Sequence, residues 1–190
     1  MNRGSWYIKV YNKLLNAYYR MRLRNDHFTI ITNTCIGGVM YHKLGKKFCT
    51  PTINLWMHDK DFFKFVHDMD HYLSCKLQFV YSDGETTPVA NLDDIQVHFN
   101  HYQTEKDAAE KWYERCKRIN RENLFLICAD RPYTESVTYE EIASLREVTC
   151  RGKVVFSNLT YSTIPNNTTT YKIVETSAPS DYVKSDAVIN

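Results

Sequence analysis

The side chains best suited to chemistry in this chain lie where an apolar run breaks, in "FTIITNTCIGGVMYHKLG" over residues 28–45. Asn33 and Cys35 stand just past the β-branched run. Gly37 and Gly38 follow, then Tyr41 and His42, and Gly45 closes a helix-like segment. A thiol at a helix N-terminus ionises more readily, because backbone N–H groups and the helix dipole stabilise negative charge there. Cys35 can then act as a nucleophile, with His101 or His42 as base and with Asn33 and nearby amides holding an oxyanion. The same turn is open to a second use, since Gly37 and Gly38 would let the backbone approach a phosphate. Neither G-x-G-x-x-G nor G-x-x-x-x-G-K-[ST] is present, so no standard nucleotide loop supports that use. A third reading is packing alone, with Cys35 a small buried residue and the glycines bringing a helix close to a sheet. All three stay open at this level.

Other candidates are weaker. In "HFNH", His98 and His101 would point to opposite faces of a strand, so His101 joins a site only if the strand ends by Asn100. His67 and His71 have a metal-binding spacing, but Lys60 and Lys64 share their face, which marks it as solvated. No metal site is expected. Arg115 and Arg118 fall at helical spacing and suit either an anionic ligand or ion pairs with carboxylates. Asp130 and Arg131 end the most apolar run, "NLFLICAD", where an acid serves equally well as ligand, base or turn former.

These residues need elements to position them. "HFTIIT" reads as a buried strand and residues 35–44 as a helix ended by Gly45. Residues 50–56, 76–82, 94–99, 123–130 and 153–157 read as further strands, with an edge strand at 171–175. Helices are expected at 59–73, after a Thr104 N-cap, and after a capping box of Thr138 and Glu141. "DGETTPVANLD" reads as a loop. Strands apolar throughout, alternating with helices, predict a three-layer, Rossmann-like α/β domain over 27–157. Its mostly parallel sheet would have about six strands. Ligands in such sheets bind at the carboxyl ends of the strands. The loops there would carry Asn33, Cys35, His58, Asp83, His101, Asp130 and Arg131.

Composition restricts partners. The chain has 190 residues, 43% of them hydrophobic, which is enough for one sizeable core. The net charge of +2 conceals a division: residues 1–24 hold six basic side chains and no acid, leaving a net of −4 on the rest. An acidic body argues against nucleic-acid binding. Residues 1–26 read as a basic amphipathic helix with Tyr7, Tyr11, Leu14 and Tyr18 on one stripe. Residues 5–24 could dock on the domain itself or on a partner, or make a peripheral contact with an anionic membrane. No secretory signal is evident, and the six cysteines are dispersed without a C-x-x-C pair, as in a cytoplasmic protein with reduced thiols. Residues 158–190 read as a tail.

The succession of "FTIITNTCIGGVMYHKLG", "TPTINLW", "VHFNHY", "EKWYERCKRINRENLFLI" and "KVVF" resembles a family of uncharacterised bacterial proteins. Its members form a domain of unknown function commonly labelled exopolysaccharide biosynthesis protein. The family's strand, Asn-Asn-Cys, aromatic, Gly-Gly, Tyr and Leu-Gly pattern is met at Asn33, Cys35, Gly37, Gly38, Tyr41, Leu44 and Gly45. Thr34 and Ile36 depart from it. Capsule-biosynthesis acyltransferase-type proteins are more loosely similar, with Asn-Cys at a helix start after a strand. The resemblance implies a cytoplasmic transferase, at the inner face of the membrane, acting on a sugar or lipid-linked sugar. A coenzyme A thioester would be the donor in acyl transfer and a nucleotide-sugar in glycosyl transfer. A non-catalytic subunit of polysaccharide assembly is the other alternative. In the acyl version Cys35, Asn33 and His101 react, and Gly37, Gly38, Tyr41, His58, Arg115, Arg118, Asp130 and Arg131 bind ligand.

Overall fold

A computed structural model describes residues 3–81, 84, 86–129, 137–157 and 171–175. Helix α1 (Arg3–Arg22) leads into β1 (Thr29–Thr32), and α2 (Ile36–Leu44) follows after the Asn33–Cys35 turn. Gly45 ends α2 at φ 63°, a left-handed conformation that glycine adopts without strain. Next come α3 (Asp59–His67), α4 (Met69–Ser74), β2 (Gln78–Val80), β3 (Val89–Leu92) and β4 (Ile95–His98). The chain continues with α5 (Glu105–Cys116), β5 (Leu124–Ala129), α6 (Tyr139–Ser144), β6 (Gly152–Ser157) and β7 (Tyr171–Glu175). Thr104 caps α5, and Thr138 with Glu141 forms the expected capping box on α6.

The chain is α/β, but its strands divide between two sheets. One is parallel, in the order β1-β5-β6-β7, and the other is the antiparallel β2-β3-β4. A single six-stranded parallel sheet is therefore not what forms. The parallel sheet buries both faces, as its continuous apolar runs require. Ile31, Leu124, Leu126, Cys128 and Val155 feed the larger core, with α3, α4, α5 and α6 around it. Ile30, Ile127, Ala129 and Phe156 point the other way, to a smaller core completed by Tyr41 of α2.

Three expectations fail for local reasons. Residues 59–73 are two helices, because Asp68 breaks the run at φ −132°, ψ 54° and caps α4 with its side chain. Residues 89–92, expected as loop, pair with β4 through a two-residue turn in which Asp93 takes φ 54°. Residues 49–56 form a strap rather than a strand. Pro51 lacks an N–H, and Asn54 sits at φ 65°, so no continuous ladder can run through them. The strap instead covers the outer edge of β1 through side chains: Thr32 N donates to Thr52 Oγ1 (3.3 Å), and Thr29 Oγ1 donates to the Cys49 carbonyl (3.0 Å). Its far end reaches the other sheet, where Trp56 and His98 exchange backbone hydrogen bonds of 3.0 and 2.9 Å.

Helix α5 locks the strap. Arg115, 7% exposed, donates through Nη1 to the Ile53 carbonyl and to the Tyr102 hydroxyl, both at 2.8 Å, with its guanidinium over Phe48. Arg118 donates to the Phe48 carbonyl and pairs with Glu114. Burial pushes the Tyr102 phenol up even beside that cation, so the hydroxyl stays protonated. Arg115→Ala leaves the Ile53 carbonyl without its donor, and chemical denaturation should show a loss of about 2–3 kcal/mol. Tyr102→Phe, which leaves that carbonyl bond intact, should cost about 1 kcal/mol.

Gly37 is where helix and sheet come closest. A Cβ there would lie 2.6 Å from Thr32 Cγ2, whereas one at Gly38 would meet nothing nearer than Ile53 at 3.6 Å. Gly37→Ala should therefore cost about 1–3 kcal/mol in urea unfolding. Gly38→Ala should be neutral, or stabilising by up to about 1 kcal/mol. Equal effects at the two positions would contradict this packing.

Candidate functional site

The turn at the end of β1 is built around Asn33. Its side-chain amide accepts from Ala129 N (2.9 Å) and donates to Ala129 O (2.8 Å), standing in for the next rung of the β1–β5 ladder. The second amide hydrogen goes to Asp59 Oδ1 (3.2 Å) at the start of α3. Asn33 and Asp59 are both buried. Both Nδ2 hydrogens are thus engaged, and the donor expected at an oxyanion hole is instead a tie between β1, β5 and α3.

The rest of the turn closes on itself. Thr34 N donates to Thr32 Oγ1 (3.2 Å), and the Thr34 hydroxyl lies 3.4 Å from Ile36 N. Cys35 then occupies the N-cap of α2 with no side-chain capping bond, and it is the exposed one of the six cysteines. First-turn amides, those of Gly37 and Gly38 among them, have no acceptor within the helix. Tyr41, expected to bind ligand, is buried and stacked on Phe28. Its hydroxyl donates to the Phe28 carbonyl and accepts from Ile30 N, both at 3.1 Å. Burial raises its phenol far above the ordinary value, despite the bond from Ile30. Tyr41 therefore holds α2 to the edge of β1.

The histidines regroup. His101 is exposed in the turn after β4, and no hydrogen bond or ring contact among the described residues joins it to Cys35. The strand ends at His98, before Asn100, yet His98 is buried whereas His101 is exposed. His58 is instead carried to the Asn33 turn, because it directly precedes Asp59 and N-caps α3. Its ring lies 5.6 Å from that of His98 and edge-on to Trp56 at 5.0 Å, while His98 stacks on Trp56 at 3.8 Å. His58 Nδ1 is buried and has no hydrogen-bond partner among the described residues. A buried ring nitrogen left without a partner is costly unless something else completes it. Trp56 and Asp59 are not among the candidates the sequence offers, and His98 enters there only beside His101. Their signal, an aromatic-x-His-Asp run before a helix, has meaning only once β4 is known to lie beside it.

Of the two uses open to Arg115 and Arg118, Arg118 forms an ion pair, with Glu114. Arg115 and Arg118 spend their donors on strap carbonyls, and Ile53, whose carbonyl Arg115 holds, packs its side chain against the Gly37–Gly38 turn. Asp83, Asp130 and Arg131 lie outside the described residues. Among the described residues no cluster of three metal-ligating side chains occurs. The candidate site is thus an exposed thiol at the N-cap of α2, a half-buried His58 at the N-cap of α3, and His98 with Trp56 beside that histidine.

Residues 7–180 match the family described as Domain of unknown function (DUF1919). This chain belongs to that family. An uncharacterised protein of Haemophilus influenzae is similar to it, 33% identical over 147 residues that cover 77% of this chain and 69% of that protein. The family match spans both sheets, the strap and the Asn33 turn.

The thiols differ in a way that can be measured. Burial raises those of Cys49, Cys75 and Cys150, and pushes Cys116 up to about 12. Cys128 is fully enclosed. With limiting iodoacetamide on the native protein, peptide mapping should find Cys35 modified first, about tenfold or more ahead of Cys116. Earlier labelling of any other cysteine would remove Cys35 from consideration as a reactive thiol.

Proposed function

We propose that this protein is a transferase of surface-polysaccharide assembly, which moves an acyl group from a thioester donor to a hydroxyl of a sugar or lipid-linked sugar. The observation that carries this reading is the Asn33–Asp59 hydrogen bond, which ties the turn carrying the exposed Cys35 to the residue after His58, a histidine whose buried ring nitrogen lacks a partner among the described residues. The motif resemblance to proteins labelled for exopolysaccharide biosynthesis supplies the sugar context.

In this mechanism His58 takes the proton of the Cys35 thiol, and Sγ attacks the donor carbonyl. The donor's C–S bond breaks, and its thiolate leaves with the proton from His58. A sugar hydroxyl then gives its proton to His58 and attacks the acyl-Cys35 carbonyl. The bond to Sγ breaks, Cys35 recovers the proton, and an ester is released. The first-turn amides of α2 lie where they can stabilise charge on the carbonyl oxygen. His58 replaces His101 as the base, because its neighbour Asp59 is bonded to the turn that carries Cys35.

Acetyl-coenzyme A incubated with the protein should leave one acyl group on Cys35, seen by intact mass and peptide mapping, and none on Cys35→Ser. His58→Gln should slow acylation about 100-fold or more. Thermal stabilisation by a nucleotide-sugar without any acylation would overturn acyl transfer in favour of glycosyl transfer. Silence toward both donors would leave a non-catalytic subunit.

A further inference from the structure

Helix α1 carries two apolar stripes, and only one of them is used. Half-buried Leu15, Tyr19 and Leu23, spaced i, i+4 and i+8, face the domain, with Leu23 packed on the smaller core. Arg20 fastens the junction by donating to the carbonyls of Lys43 (2.9 Å) and His42 (3.3 Å), the last acceptors of α2. At 100° per residue, Trp6, Leu14 and Met21 fall on the opposite side, with Tyr7, Tyr11 and Tyr18 beside them. The Tyr7, Tyr11, Leu14 and Tyr18 stripe read from the sequence is therefore the one that faces outward. Trp6, Tyr7, Tyr11, Leu14 and Met21 are 62–78% exposed.

We infer that this outer face of α1 is a membrane-surface contact that lies flat on anionic lipid. Charge and residue type select that occupant. All charged side chains before Asp26 are basic, with Lys9 and Lys13 along one border of the stripe and Arg22 along the other. Long cationic side chains at the rim reach headgroup phosphates, while tryptophan and tyrosine settle at the boundary between headgroup and acyl chain. A second copy of the same chain would bring two basic rims together without an acid to offset them. Nucleic acid would meet the six cations but leave the exposed leucine, methionine and aromatic rings in water, and would face the net negative body. No helix among the described residues is long and apolar enough to cross a bilayer, so α1 would lie on the surface and not span it. Docked through its inner stripe, α1 would hold α2 close to the lipid. This inference stands independently of the acyl-transfer reading.

The test is sedimentation of the full chain with vesicles of phosphatidylglycerol and phosphatidylcholine, or of phosphatidylcholine alone. Binding is expected to the anionic vesicles only, and to weaken as salt is raised. Emission from Trp6 should shift to the blue on binding, and Trp6→Phe should abolish the shift, since Trp112 is buried and Trp56 stacks within the domain. Tyr7→Glu with Leu14→Glu, both exposed positions, should reduce binding about tenfold or more at unchanged thermal stability. Lys9→Glu with Lys13→Glu should do the same and abolish the salt dependence. Absence of binding to anionic vesicles overturns the inference, as does binding that survives Tyr7→Glu with Leu14→Glu. So does a dimer, seen by light scattering, that dissociates in that variant while vesicles are not bound.

Discussion

The amide of one buried side chain, Asn33, is the constraint from which the arrangement of this molecule follows. At the point where β1 must stop, the backbone can no longer pair with β5, and two polar groups of Ala129 would be left buried and unpaired. Asn33 supplies one donor and one acceptor in the geometry of a peptide group and satisfies both. Its remaining hydrogen fixes Asp59, and with it the start of α3 and the position of His58. An aspartate could not supply either donor, and a leucine would satisfy none of the three contacts. The turn that exposes Cys35 is therefore held from below by a fully occupied hydrogen-bond set.

A second constraint is the open edge of β1. A parallel strand at the border of a sheet presents unpaired amides and carbonyls to whatever approaches. Here the hydroxyls of Tyr41, Thr29 and Thr52 cover that edge, and the strap from 49 to 56 runs alongside without pairing as a strand. Arg115 and Arg118 then hold the strap from its other side. Residues that read as suited to an anionic ligand or to ion pairs are thus also the fasteners of an edge cover. The strap in turn carries Trp56 to β4, which is how a histidine of the antiparallel sheet comes to stand beside one at the edge of the parallel sheet.

Much of the local structure was legible in the residues themselves. The helix over 36–44 with its glycine stop, the Thr104 cap, the Thr138–Glu141 box and the apolar strands β1, β5 and β6 all follow from short-range rules, and all form. The site was legible only as a location. Cys35 is exposed at a helix start as its spacing suggested, while His101 stands exposed after β4 and the histidine next to the residue held by the Asn33 turn is His58. His101 follows a strand of a different sheet, and no periodicity in "DIQVHF" tells an antiparallel strand from a parallel one. The packing role of Gly37 depends on Thr32 and Ile53 converging above it, one of them 16 residues further along the chain.

What the sequence determined by itself was what neighbouring residues decide: caps, turns, period, and the division of charge between a basic N-terminal helix and an acidic body. What tertiary structure alone decided was how polar groups far apart in the chain are matched. Asn33 and Ala129 are 96 residues apart, and Arg115 and Ile53 are 62 apart. Nothing local indicates that either pair will meet. The same holds for α1, whose two apolar stripes are equivalent on a helical wheel. Only the surface of α2, with its terminal carbonyls waiting for Arg20, settles which stripe is buried and which is left facing outward.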